Sequence, residues 1–303
     1  MDCQQGKGRV TSVIGGQANT ATRGRISDPE DIAADAGQQI EQACASLGKE
    51  VGELTIAQLS QAHEKANPPL AISIQADGFE AALRQKIRRP RGEILKEDYE
   101  RVGSIIASSR NGNTANLKDL RFVQKLTELK RIAIDAQSIS DLKPLAGCVK
   151  LDAILLENTR QLSTIRNLEV LGNIKMLRLA GLDSVKTPES TLRKLSGLNR
   201  LMLMGRLPIE SWDFVTDLTQ LTTLTVHPVA DFPTIANLKS LKNLEVYMGN
   251  SKKIPDVTVF QNFQHLDKLW INFSNEPVTL TADDLNKLKV MLPGVEIKVT
   301  GGK

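Results

Sequence analysis

From Leu129 onward one phrase of apolar and polar positions returns along the chain. Leu129, Ile132 and Ile134 alternate with polar or small residues. The same spacing recurs at Leu151, Ile154 and Leu156, and at Ile174, Leu177 and Leu179. Further copies start at Leu198, Leu221, Leu241 and Leu266, so successive starts lie 22, 23, 24, 23, 20 and 25 residues apart. Apolar residues also stand six and three positions before each start, as Val123 and Leu126 do before Leu129. Seven repeats therefore keep five apolar offsets each, with Cys148 in the slot that Leu126 and Leu171 fill elsewhere. A period of this length, kept this strictly, marks stacked structural units rather than one globular core.

Within each phrase the alternation has the period of two that a strand requires, so apolar residues point inward and the residues between them point outward. One such unit cannot bury its own leucines. Stacking neighbours joins the separate strips into a continuous core behind a parallel sheet. Parallel strands need long crossovers, and about sixteen residues between strands supply them on the opposite, convex side. The predicted fold is α/β: a leucine-rich-repeat solenoid with a parallel concave sheet, an irregular or helical convex side and a helical N-terminal cap.

The flanks read as caps. Asp77 to Ile87 is an amphipathic helix, Gly92 to Val102 follows it, and Val102 to Ala107 supplies an irregular first strand. At the other end Thr281 is a helix N-cap with Asp284 three residues on. Leu285, Leu288 and Leu292 then fall at helical spacing, Pro293-Gly294 stops the helix, and Val295 to Val299 forms a last strand. Residues 1–26, rich in Gly, Gln, Thr and Ser, read as a disordered tail. A helix starts at Ser27-Asp28-Pro29-Glu30, with Ile32, Ala36, Ile40, Ala43 and Leu47 on one face, and a second spans Thr55 to Lys65. The expected division is a tail at 1–26, a helical segment at 27–76, and a cap with the irregular strand at 77–116. Repeats follow at 117–280 and a C-terminal cap of helix plus strand at 281–303.

The run Phe79-Glu80, Leu83-Arg84, Ile87, Gly92, Ile94 and Glu97-Asp98, followed by Ser140-Asp-Leu-Lys-Pro-Leu145, resembles the cap and repeats of bacterial internalin-like leucine-rich-repeat proteins. The resemblance covers roughly residues 77 to 300 and implies a solenoid that recognises partners. The asparagine which that family carries just after each strand is replaced here by Gln137, Thr159, Leu182, Arg206 and Val229. An irregular convex side is expected in consequence.

Composition changes this picture little. The 303 residues are 41% hydrophobic but only 4% aromatic, so aliphatic side chains fill the core. A net charge of +4, from 39 basic and 35 acidic residues, is too small to indicate nucleic acid, which needs a concentrated basic stripe. The Arg88 to Arg91 run reads as a solvated loop. No apolar run reaches transmembrane length, and Met1 to Gln5 has no signal-peptide core, although a leader removed earlier stays open. Cys3, Cys44 and Cys148 are too scattered for a disulfide framework or a zinc site, and Cys148 reads as a small buried apolar residue. His63, His227 and His265 sit in no catalytic or metal motif. Gly6-Lys7-Gly8 lacks the strand and Ser/Thr of a phosphate loop, and Asp283-Asp284 is explained by the helix start. No enzyme, cofactor or metal is expected.

The concave sheet remains. Its outward positions include Leu155, Met176, Arg178, Arg200, Met202, Met204, His227, Tyr247 and Trp270. Exposed aromatics, methionine and arginine are the residue types of protein-binding hot spots. The expectation is a non-catalytic module binding a protein partner on this face. Two alternatives stand beside it: an envelope-tethered protein recognising a surface or glycan ligand, and an effector or toxin-neutralising protein. Cell envelope or secretion is preferred over cytoplasm as its location, and the oligomeric state is left open.

Overall fold

Each buried leucine strip finds its partner in the next repeat, and the result is a single ten-stranded sheet whose strand order is the chain order. All pairings are parallel. The computed structural model describes residues 69–73, 78–107, 117, 119–135, 138–158, 161–181, 183–205, 208–227, 231–248, 256–273 and 280–301, together with residue 45. Strands β3 (Arg131–Asp135), β4 (Ala153–Glu157), β5 (Met176–Ala180) and β6 (Arg200–Met204) are followed by β7 (Thr223–Val226), β8 (Asn243–Tyr247) and β9 (Lys268–Asn272). These are the seven strands of the repeated phrase. Every apolar position of that phrase is buried, from Val123 to Ile271. At roughly 1.5–3 kcal/mol per fully buried aliphatic side chain, this core is the main favourable term in folding.

The convex side is built mostly from short 3-10 helices, at Arg121–Lys125, Lys143–Gly147, Arg166–Val170, Asp213–Asp217 and Val257–Phe260. A local bond from side chain to backbone starts them. A short polar side chain accepts the backbone N–H two residues on: Asp119 from Arg121 (2.9 Å), Asp141 from Lys143 (2.7 Å), Thr164 from Arg166 (3.1 Å), Ser211 from Asp213 (3.1 Å) and Asp256 from Thr258 (3.0 Å). Each satisfies an N–H that the start of a helix leaves without an intrahelical acceptor. The residues just past the strands split into two kinds. After β4, β5 and β6 the chain turns through Asn158, Gly181 and Gly205, all at positive φ. These turns stack so closely that a Cβ on Gly205 would lie 3.3 Å from the Gly181 nitrogen. After β8 and β9 the same position holds Met248 and Phe273, both fully buried. The expected family-type asparagine positions, from Gln137 to Val229, lie outside the described residues.

Both flanks form. Helix α1 (Phe79–Ile87) buries Ala82 and Leu83 and ends at Arg88 in the left-handed region. Phe79 stacks on Phe122 of the first convex turn at 4.8 Å between ring centroids. Helix α2 (Lys96–Glu100) carries the buried Asp98, whose carboxylate accepts the Leu95 N–H (3.0 Å) and an Arg89 N–H (3.2 Å). The Arg88–Arg91 run is therefore not wholly a solvated loop, because Arg89 is the counter-ion of this acid. Helix α5 (Ala282–Met291) starts as expected, with Thr281 accepting the Asp284 N–H at 3.1 Å. Strand β10 (Glu296–Thr300) then extends the sheet.

One expectation needs correction. Leu70–Ser73 is strand β1, parallel to β2 (Val102–Ala107), so the helical segment expected to run to residue 76 gives way to a strand, and β2 is second rather than first. A four-residue stretch after Pro68-Pro69, three of its residues apolar, acquires strand geometry from the neighbour it pairs with, which is why no periodicity announced it. The tail at 1–26 and both expected helices lie outside the described residues, apart from Ala45, which is helical. Two further helices, α3 (Pro188–Leu192) and α4 (Phe232–Ile235), replace 3-10 turns on the convex side. No helix among the described residues is long and apolar enough to cross a membrane.

Strand alternation makes a sharp contrast at one pair of neighbours. Leu201→Ala, at a fully buried position, should lower unfolding free energy by about 2–5 kcal/mol. Arg200→Ala, one residue away on the exposed face, should change it by less than about 0.5 kcal/mol, as chemical denaturation would measure. Cys148 is likewise sealed in: burial pushes its thiol up to about 11, and its Sγ lies 3.7 Å from the Val123 carbonyl. In a chain carrying Cys3→Ser and Cys44→Ser, maleimide labelling of Cys148 at pH 8 should run on the order of 100-fold slower than in denaturant.

Candidate binding face

The parallel register places the outward residues in columns. Arg131, Ala153, Met176 and Arg200 are direct neighbours across β3 to β6, and the column continues through Thr223 and Asn243 to Lys268. Ala133, Leu155, Arg178 and Met202 form the second column, which runs on through Thr225 and Glu245 to Trp270. In the third, Glu157, Ala180 and Met204 are aligned, and Tyr247 aligns with Asn272. Neighbours in a column are about 4.8 Å apart, the spacing of hydrogen-bonded strands. All nine expected site residues lie on this face. Arg200 is exposed, and the other eight are half-buried.

The face divides in two. On β4 to β6, Leu155, Met176, Met202 and Met204 present apolar surface on three adjacent strands. Arg178 sits between Leu155 and Met202, and its guanidinium makes a 2.9 Å ion pair with Glu157. Both side chains of that pair are less than a fifth exposed, so little solvent screens it. Arg178 Nε is buried without a hydrogen-bond acceptor. Arg131 and Arg200 flank the apolar patch and have no ion-pair partner among the described residues.

On β7 to β10 the face is knitted to itself. Glu245 accepts hydrogen bonds from Thr225 (3.2 Å) and from Asn272 (3.1 Å). The Trp270 indole N–H donates to Thr300 at 2.7 Å, and the Lys298 ammonium lies 4.5 Å from the centre of its ring. His227 meets Tyr247 edge-on, 5.8 Å between ring centroids. Two residues expected in the outward columns, Ala153 and Thr225, are buried, because longer neighbours on adjacent strands close over short side chains. The columns also extend one strand further at each end. Ser104 and Ile106 on β2 continue them at one end, and Glu296, Lys298 and Thr300 on β10 at the other. Both strands are legible in the sequence, and the same period-two alternation places these residues outward.

Among the described residues no three His, Cys, Asp or Glu side chains converge on a point where a metal could sit. Burial holds the His227 imidazole below the ordinary histidine range. Burial, helped by the charges of Lys239 and Lys242, does the same to His265 against an opposing hydrogen bond with the Leu238 backbone. A depression of about 350 Å³ on the convex side is lined by Pro233, Asn237, Lys239 and Gln261 among others, and its lining includes no carboxylate, thiol, hydroxyl or imidazole.

A sheet of ten parallel strands in chain order, with a crossover of 3-10 or short helical turns between successive strands, defines a leucine-rich-repeat solenoid, and its concave side is the candidate site. Comparison with protein families and with curated proteins finds no match. Among solved structures the chain is similar to an internalin (inlF) from Listeria monocytogenes, at 18% identity and a TM-score of 0.45, with 76% of each chain covered. It is similar also to internalin C2 (inlC2) of the same organism, at 19% identity and a TM-score of 0.45, over 63% of this chain and 91% of that one. The solenoid is defined here by the chain's own strand register.

The two depressed histidines set a pH response. The fold disfavours their charged forms, so their contribution is complete above the ordinary value of 6.5 and is lost as pH falls through 6.5 towards the folded values. Thermal melts should show a Tm that drops between pH 7.5 and 5, and His227→Gln/His265→Gln should flatten that stretch of the profile.

Proposed function

We propose that the chain is a non-catalytic protein-interaction module and that the apolar half of its concave face, centred on Met202, receives a protein partner. The observation that carries this reading is the juxtaposition of Leu155, Met176, Met202 and Met204 on three neighbouring strands, with arginines on their flanks. Methionine is polarisable and adapts to irregular surfaces, and arginine offers directed hydrogen bonds beside it. Contact surfaces that dominate binding energy combine such features. With Arg131 and Arg200 unpaired among the described residues and Arg178 Nε lacking an acceptor, the fitting partner presents apolar side chains bordered by carboxylates. The β7–β10 half, whose polar groups satisfy one another, plays a supporting part.

Affinity capture from a lysate of the native organism, wild type against Met202→Glu, tests this. The expected result is a protein recovered by wild type and reduced at least about tenfold with the variant, while circular dichroism of the two is the same. Trp270→Ala should have a smaller effect on capture, since it removes a residue engaged with Thr300 and Lys298. Equal recovery by wild type and Met202→Glu would reject the concave patch and turn attention to glycan or envelope ligands.

A further inference from the structure

The two ends of the solenoid are closed to different degrees. At the N-terminal end Ile72 of β1 and Leu83 of α1 are both fully buried, while Leu70, Phe79, Ile87 and Ile94 around them are half-buried. At the C-terminal end the inward-facing residues of β10, Ile297 and Val299, remain half-buried, as do Met291 and Val295 beside them. Their counterparts one strand earlier, Leu269 and Ile271, are buried. Among the described residues no strand lies on the outer side of β10. The ladder to β9 uses the backbone of alternate residues, with the Glu296 N–H bonded to the Asp267 carbonyl and the Thr300 carbonyl to the Phe273 N–H. Strand geometry therefore directs the N–H and C=O groups of Ile297 and Val299 to the open edge. An edge with free backbone groups and uncovered apolar side chains is a template for another strand.

We propose that this edge is an interface with a second copy of the chain, β10 pairing antiparallel with β10 about a two-fold axis at Ile297. The charge pattern selects this register. Antiparallel strands joined through the outward groups of 297 and 299 and the carbonyl of 295, whose N–H is bonded to the Leu292 carbonyl (3.2 Å), can slide only in steps that keep those residues opposed. Centred on Ile297, the register sets Glu296 of each copy opposite Lys298 of the other, twice by symmetry, with Ile297 facing its own counterpart and Val295 facing Val299. Centred on Glu296 or on Lys298, like charges face each other across the axis, which is unfavourable. Glu296 and Lys298 are both exposed and both lie on the concave side. Within one copy Glu296 already pairs with Lys268 (2.5 Å) and Lys298 lies 4.5 Å from the centre of the Trp270 ring, so across the axis Lys298 of one copy joins the Lys268–Glu296 pair of the other. In the paired form Val295, Ile297 and Val299 of the two copies extend one core into the other. The two concave faces become one continuous sheet bounded by the two β1 strands, and the isologous contact is closed because both β10 edges are used in it.

Sedimentation of the full chain up to about 100 µM tests the assignment. Wild type is expected to be dimeric in that range. Lys298→Glu and Glu296→Lys should each weaken the dimer by roughly tenfold or more, and the exchanged double variant Glu296→Lys/Lys298→Glu should recover it, with melting curves confirming that all three fold. Recovery in the double variant separates charge complementarity from simple damage to the strand. A chain monomeric at the highest concentration overturns the proposal, as does a dimer indifferent to both single reversals. A monomer whose Ile297 and Val299 amides are protected from hydrogen exchange would also overturn it, by showing that the chain covers its own edge.

Discussion

Everything in this molecule depends on the strip of leucines that one repeat cannot bury. A single turn of the solenoid exposes its inward side chains on two sides, and only the turns before and after can cover them. The consequence is a one-dimensional stability in which each interface is local but no repeat stands alone. It also explains why Val123, Leu145 and Leu168, on convex turns far from the strands in sequence, are as deeply buried as the strand residues themselves. The core fills the whole space between the sheet and the convex turns.

That stacking sets strict demands at the corners and permits variety elsewhere. The turn after β4, β5 and β6 brings one backbone within van der Waals reach of the next, and it is met by Asn158, Gly181 and Gly205 in the left-handed region. Where the stack continues through β8 and β9, large side chains, Met248 and Phe273, run into the core instead. The convex starts follow a looser rule: any of Asp, Thr or Ser serves, because all that is needed is one oxygen two residues before a free N–H. Ion pairs between successive convex turns, such as Lys150 with Glu128 and Lys194 with Glu169, are solvent-exposed and add little beside the core.

The concave face inherits its shape from the same ladder. From β2 to β10, parallel pairing without a register shift lays side chains side by side every strand, so what a surface offers is decided by columns rather than by single residues. In the N-terminal half those columns bring methionines and a leucine beside arginines. In the C-terminal half they bring donors next to acceptors, and Trp270, Thr300, Glu245 and Asn272 satisfy one another. A binding reading is therefore carried by β4 to β6, and the tryptophan that composition would single out is already engaged.

The spacing of leucines alone was enough to determine the solenoid, the strand positions, the inward and outward sets and the burial of Cys148, because a period near 23 residues with alternation inside it has one way to hide its apolar side chains. The helix start at Ala282 was legible from a cap followed by apolar residues at helical spacing, and the helix from Phe79 from its amphipathic spacing alone, since its N-cap Gly78 makes no side-chain cap bond. Strand β1 was not, since Leu70–Ser73 becomes a strand only through hydrogen bonds to β2. Nor were the pairing of Arg178 with Glu157, the counter-ion role of Arg89, or the burial of Thr225 beneath its neighbours. Those depend on which side chains of different repeats stand within a few ångströms of each other and how long they are. Periodicity sets the column in which a residue stands, and only the packed structure decides whether its polar atoms are left for a partner or spent on the next strand.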